Sequence, residues 1–237
     1  MDKYAFVTGG SDRIGKAISI ELAKQGYNVI IHYNSSQSKA EEVKEEIISL
    51  GRSAEILKIN FLEDHDFDMT FQSLKTSGKE IDVLINCASD FTLSTIKDVG
   101  SQLLKKEYRI NFEIPYLLTK AFATIYKKGH IINFLDTKVE KNATNRLDYI
   151  LSKKSLKDFT LISAVELSPN IKVNAIAPGL VLPPAGKNDN YLLNLAPEIP
   201  MKTIGNMEDI LIAFRYLLES NFVTGQILYV DGGDHLI

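Results

Sequence analysis

Short apolar runs alternate with helix-length amphipathic stretches along this chain, and no other feature limits its possible folds as strongly. Residues 4–8, 28–33, 53–59, 81–86, 129–135, 171–176 and 226–230 read as strands. Residues 17–25, 37–50, 63–75, 101–127, 146–167 and 207–220 carry helical apolar spacing. Such alternation builds a parallel sheet covered by helices on both faces, the α/β class. No linker interrupts the 237 residues, so one domain spanning 1–237 is expected. Pro115 sits inside the longest helical stretch and predicts a bend near Asn111, where a loosened carbonyl has room for a water. The segment 183–200, rich in Pro, Asn and Leu, reads as a loop or short helix covering the strand ends.

Composition narrows the function classes. At 45% hydrophobic and 24% charged residues the chain can bury a full core, and its net charge of -3 gives no footprint for nucleic acid or an anionic membrane. A single cysteine, Cys87, excludes an internal disulfide and fits a reducing compartment. No apolar run approaches the roughly 18 residues of a membrane span. Met1-Asp2-Lys3 leads directly into a strand pattern, leaving no room for a signal peptide. A cytoplasmic setting with no nucleic-acid or membrane partner is expected.

The first strand ends in Gly9-Gly10-Ser11-Asp12-Arg13-Ile14-Gly15 and a helix follows. Glycine lets backbone approach a phosphate, and the helix start offers N–H groups and partial positive charge. The second strand ends in His32-Tyr33-Asn34-Ser35, without the acid that binds a ribose 2′-hydroxyl in NAD sites. Hydroxyl, amide and imidazole donors there suit a 2′-phosphate instead. Asn60 and Phe61 close the third strand where an adenine would lie. The fourth ends in Asn86-Cys87-Ala88-Ser89-Asp90-Phe91, small residues that let a flat ring lie close to the backbone. Cys87, with no histidine near it in sequence, reads as a structural thiol.

Asp136, Tyr149 and Lys153 form the candidate catalytic set. Tyr149 and Lys153 are four apart on a helix and share a face, and Asp136 ends the preceding strand. A lysine beside a tyrosine is expected to lower the phenol pKa towards neutral, suiting proton transfer.

Thr8-Gly9 through Ile14-Gly15, Asn86 to Ser89, Asn111, the Tyr149/Lys153 pair, Pro178-Gly179 and Asp231-Gly232-Gly233 together resemble the short-chain dehydrogenase/reductase family over essentially the whole chain. The resemblance implies a single Rossmann-type doubly wound parallel sheet of about seven strands and a homodimer or homotetramer packed through the long helices. It implies a nicotinamide dinucleotide held by Gly9, Ser11, Arg13, Ile14, His32, Tyr33, Asn34, Ser35, Asn60, Phe61, Asn86, Ala88, Ser89, Lys153, Pro178 and Gly179. In the family the tyrosine donates the proton, the lysine grips the nicotinamide ribose, and the asparagine matching Asn111 supports a water chain.

Three departures resemble the pteridine reductase branch, and Pro200-Met201-Lys202-Thr203, Phe222-Val223-Thr224-Gly225 and Asp231-Gly232-Gly233-Asp234-His235-Leu236 are especially similar to its bacterial dihydromonapterin reductases. Asp136 replaces a serine, Arg13 a glycine, and Asn-Cys-Ala-Ser followed by Phe91 replaces Asn-Asn-Ala-Gly. The implied activity is NADPH-dependent reduction of a dihydropterin, and dihydrofolate is a further candidate. Arg13, Ser89, Phe91, Asp136, Tyr149, Gly179 and Leu180 would hold the substrate. A flat pterin stacked on Phe91 would gain roughly 1 kcal/mol beyond burial. NADPH ranks ahead of NAD because the second strand lacks the acid, although Asp12 places a carboxylate where it would repel a 2′-phosphate. A carbonyl or 3-ketoacyl-thioester reductase ranks second, since it has no need for Arg13 or Phe91. A dinucleotide-binding regulator without turnover ranks last, because Asn111, Tyr149 and Lys153 are all present. No metal site is expected.

Overall fold

The computed structural model describes residues 2–97, 100–184 and 186–237, so residue 185 of the segment 183–200 lies outside the described residues. The first half runs β1 (Tyr4–Val7), α1 (Arg13–Lys24), β2 (Asn28–Tyr33), α2 (Gln37–Ser49), β3 (Ala54–Lys58), α3 (Phe67–Thr76) and β4 (Ile81–Asn86). The second runs α4 (Ser101–Tyr108), α5 (Ile114–Ile125), β5 (Gly129–Phe134), α6 (Leu147–Glu166), β6 (Ile171–Pro178), α7 (Asp189–Leu195), α8 (Met207–Glu219) and β7 (Ile227–Val230). The strands form one sheet in the order β3-β2-β1-β4-β5-β6-β7, and every pair is parallel. The chain winds outward from β1 to β3, then restarts at β4 and winds the other way. The switch point lies between β1 and β4.

The two-residue period of a strand divides the core. On one face Ala5, Val7, Val29 and Ile31 pack with Ile18 and Leu22 of α1, Val43 and Ile47 of α2, and Ile210, Phe214 and Leu217 of α8. On the other, Phe6, Ile30, Leu84 and Ile131 pack with Phe67 and Phe71 of α3, and with Leu118 and Phe122 of α5. Phe71 meets Phe6 edge-on at 5.3 Å between ring centroids, and Phe122 and Tyr126 at 6.3 and 5.7 Å.

Several boundaries differ from the expected ones, and capping explains most of them. The first helix starts at Arg13 rather than Ala17 because the Asp12 side chain caps it, accepting from the Arg13 amide. The third starts at Phe67 rather than Glu63 because the Asp66 carboxylate accepts from the Met69 amide. β6 runs on to Pro178 because its partner β7 continues to Val230 beside it. The stretch 101–127 is divided as Pro115 predicted. A π turn, Arg109–Glu113, separates α4 from α5, and the Ile114 amide bonds back to Arg109. Proline lacks the amide that would serve the carbonyl four residues earlier, and that carbonyl belongs to Asn111. In the segment 183–200 the chain forms α7 and a 3-10 turn, Ala196–Glu198. No helix among the described residues is long and apolar enough to cross a membrane.

Phe71 has no exposed surface and joins three aromatic neighbours. Phe71→Ala is expected to cost about 3–5 kcal/mol of stability, read as a lowered urea midpoint with an unchanged slope.

Candidate active site

The carboxyl ends of β1 and β4 meet at the switch point, and a single hydroxyl joins them. Thr8 Oγ1 donates to the Ile85 carbonyl and accepts from the amides of Cys87 and Ala88 at 2.9 and 3.0 Å. Gly9 takes a left-handed conformation with φ of +62°, and a Cβ there would lie 3.0 Å from the Ala88 backbone. A Cβ on Gly15 would lie 2.1 Å from the Gly9 carbonyl oxygen, so α1 can start this close to the turn only with glycine. At the end of β6, a Cβ on Gly179 would collide with Asp231 at 2.6 Å. This is a cradle with room for backbone alone, and α1 begins beside it with its positive end towards the turn. It fits the pyrophosphate of a dinucleotide.

His32 and Phe61 serve the cradle from behind, which corrects their expected roles. His32 Nδ1 accepts from the Gly9 amide at 3.0 Å, and its Nε2 meets the Ile59 carbonyl at 3.0 Å, so both ring nitrogens are engaged within the protein. The geometry does not support the imidazole as a phosphate donor. Burial lowers its pKa to about 4, leaving it neutral at pH 7. Phe61 stacks on that ring at 4.0 Å and is buried, so it has no face for an adenine. Tyr33 is likewise buried in the core. Asn60 closes a local turn, donating to Glu63 and accepting from the Leu62 amide. Asn34 and Ser35 stand exposed at the end of β2, and Ser11 is buried beneath the turn.

Asp12 is not the isolated repulsive charge that the sequence suggested. Lys39, in the first turn of α2, donates to Asp12 Oδ2 at 2.7 Å. Burial works against Asp12 ionisation, but the Lys39 ammonium together with the amide and charge of Arg13 holds the carboxyl below its usual range. Arg13 adopts φ of +51°, a conformation that favours glycine. Its Nη2 donates to the Pro183 carbonyl at 2.6 Å, tying the turn to the start of the segment 183–200.

Across the sheet edge, Tyr149 is buried and donates its hydroxyl to Asp136 Oδ2 at 2.9 Å. Asp136 Oδ1 accepts from the Lys138 amide, fixing the carboxyl as the cap of a short 3-10 turn, Thr137–Glu140. Lys153 is buried too, and its ammonium donates to the Phe134 carbonyl at 2.7 Å. Burial lowers the Lys153 pKa to about 8. The expectation that Lys153 depresses the Tyr149 pKa is not met. Burial, and then the charge of Asp136, raise the phenol well above its usual value. Tyr149 therefore holds its proton and presents it towards Asp136.

Asn111 is wholly buried. Its Oδ1 accepts from Ser89 Oγ and the Asp90 amide, and its Nδ2 donates to the Asp90 carbonyl and to Glu107. Phe91 meets Tyr149 edge-on at 4.7 Å. The guanidinium of Arg146 lies 3.5 Å from the centre of the Phe91 ring, so the stack that the sequence suggested for a substrate is made here by a side chain. Leu180 accepts from the Gly205 amide, and Gly179 donates to Val230. Cys87 is a poor nucleophile, its thiol pushed up to about 12 by burial.

Glu107, Arg146 and Lys39 escaped the sequence reading. Glu107 was accessible as the residue one helical turn before Asn111, and Arg146 as the residue three before Tyr149. Lys39 carried no signal, because an exposed lysine on a charged helix resembles many others. Among the described residues no cluster of His, Cys, Asp and Glu could hold a metal ion.

The sheet order and the two sites at its edge define a dinucleotide-dependent α/β oxidoreductase. A family model described as "Enoyl-(Acyl carrier protein) reductase" matches residues 10–235, and the chain belongs to the short-chain dehydrogenase/reductase family. It is 30% identical to the 3-oxoacyl-[acyl-carrier-protein] reductase FabG of Staphylococcus epidermidis, over 100% of both chains. It is also 30% identical to the dihydromonapterin reductase of Citrobacter koseri, over 97% of this chain and 95% of that one. The crystal structure of FolM alternative dihydrofolate reductase 1 from Brucella suis in complex with NADP superposes with a TM-score of 0.91 at 29% identity, covering 98% of this chain and 95% of that one.

The buried ammonium gives a test by pH. The unfolded lysine titrates near about 10.4, so between about 8 and 10 the unfolded chain binds the extra proton and folding stability must rise with pH. The increment approaches about 3 kcal/mol and is expected to vanish in Lys153→Met, as read from urea unfolding across that range.

Proposed function

We propose that this protein is an NADPH-dependent reductase of dihydropterins, with a dihydromonapterin-like substrate first and dihydrofolate next. The observation that carries the reading is the hydrogen bond from Tyr149 to Asp136 beside the Phe91 ring. Reduction of a ring C=N bond needs a hydride at carbon and a proton at nitrogen, and bound NADPH supplies the hydride. Tyr149 holds the proton, and Asp136 sits within hydrogen-bond reach to hold or relay it. Phe91 offers the flat surface that a pterin needs, once the ring takes the place of Arg146. Lys153 contributes charge and a grip on the cofactor ribose, and Asn111 anchors the loop bearing Ser89 and Phe91.

The glycine cradle would take the cofactor pyrophosphate, with Ser11, Ile14, Asn86, Ala88, Pro178 and Gly179 around it. Support for NADPH over NADH comes from the NADP bound by the Brucella suis FolM protein and from the missing acid after β2. Lys39 adds a cation beside the turn, with Asn34 and Ser35 nearby in sequence. The segment 183–200 would cover the substrate, Leu180 and Gly179 forming its root. Assembly as a dimer or tetramer through the long helices is supported by Leu151, Ile162 and Val165 of α6, which lie exposed.

The second reading, a 3-oxoacyl-thioester reductase, is favoured by an equal identity to FabG. Against it stands Asp136. Its carboxyl accepts from Tyr149 and is taken up by that bond, where a serine hydroxyl would donate to a substrate carbonyl.

Purified protein is expected to oxidise NADPH with dihydromonapterin or dihydrobiopterin, and to do so faster than with a ketoacyl thioester. Tyr149→Phe should lower kcat by about 10²–10⁴-fold. Turnover of the thioester alone would overturn the pterin reading. Lys39→Ala should raise the KM for NADPH about 5- to 10-fold and leave that for NADH unchanged, a split measured by steady-state kinetics with each cofactor.

A further inference from the structure

Glu107 is a carboxylic acid with no exposed surface, at the end of α4 and one turn before Asn111. Its Oε1 accepts from the Thr92 amide at 3.0 Å, and its Oε2 from Asn111 Nδ2 at 2.7 Å. Asn111 in turn accepts from the Asp90 amide at 3.1 Å and donates to the Asp90 carbonyl at 3.1 Å. The loop after β4 is therefore pinned at Asp90 and at Thr92, and Phe91 lies between the two pins.

We propose that Glu107 is a positioning residue, which as a carboxylate clamps the loop 89–92 to the π turn and so holds Phe91 edge-on against Tyr149. Its kinetic consequence rests on the pterin-reductase reading, but the clamp itself does not. The two N–H bonds need an acceptor at each oxygen of Glu107, and the Thr92 side chain adds a further bond to the carboxylate. A protonated carboxyl or an amide turns a hydrogen towards one of those donors and loses that bond. Burial and the charge of Asp90 push Glu107 up, while the bonds from Thr92 and Asn111 oppose that rise. The charged and titratable groups around it are Asp90, which is paired with Lys106 at 2.5 Å, and Tyr149 and Lys153 of α6, both of which feel the Glu107 charge. The clamp should accordingly loosen on acidification at a pH above the ordinary glutamate value of about 4.3.

Hydrogen exchange measured by mass spectrometry on a peptide covering residues 87–93 tests this. In Glu107→Gln the peptide should exchange about ten-fold faster, the scale set by loss of one hydrogen bond to a charged group, with β4 and β5 peptides unchanged. The KM for dihydromonapterin should rise by a similar factor while NADPH affinity, read by its fluorescence, stays the same. Wild-type protein should show the same loosening on acidification, after correction for intrinsic exchange, and Glu107→Gln should not. An unchanged peptide, or one that loosens only together with β4 and β5, overturns the proposal. If Glu107→Gln does not fold, the wild-type pH dependence decides alone. Wild-type protein that reduces no dihydropterin but shows the exchange response would remove the functional reading and keep the clamp.

Discussion

Every strand in this sheet runs the same way, so every strand delivers its last residue to one edge. The rest of the site follows from that constraint. Thr8, Asn86, Phe134 and Pro178 are far apart in sequence and arrive together because each ends or follows a parallel strand. Between β1 and β4 the winding reverses, so the loops after them diverge and leave a crevice. The glycine cradle occupies that crevice because only glycine lets α1 begin within contact of the turn. Helices meet the sheet at the same edge, which is how α6 brings Tyr149 and Lys153 against the ends of β5.

The electrostatics of that edge separate the two titrating partners. Lys153 is brought down to about 8 by burial, while burial and Asp136 drive Tyr149 upward. The lysine is held on the Phe134 carbonyl, and the tyrosine keeps its proton. Environments that drive neighbouring pKa values apart are how a fold assigns acid and base roles to similar groups.

Much of this architecture was legible in the chain. Strand periodicity and the glycine turn suffice for the sheet, and Pro115 marks the break that became the π turn. Tyr149, Lys153 and Asp136 meet as their spacing suggested. What the sequence hid was direction. His32 lies near the end of β2 and Phe61 beyond β3, both at the right edge, yet they point back into the protein. The ion pair of Asp12 with Lys39 spans a helix, a strand and the loops between them, so no local pattern announces it. Glu107 sits among lysines on a charged helix, and only the π turn shows Asn111 folded beside it.

The guanidinium of Arg146 on Phe91 has one more consequence. A ligand settling on that face does not find an empty surface; it trades places with a cation. A cation–π contact is worth about 0.5–2 kcal/mol, and an offset aromatic stack returns about 0.5–1.5 kcal/mol. At equal buried area a flat conjugated ring recovers a stacking gain of about 0.5–1.5 kcal/mol that an aliphatic chain does not, and so offsets more of the displaced contact. The Phe91 face is thus held by a cation in the free protein, and any ring that stacks there must match that contact first.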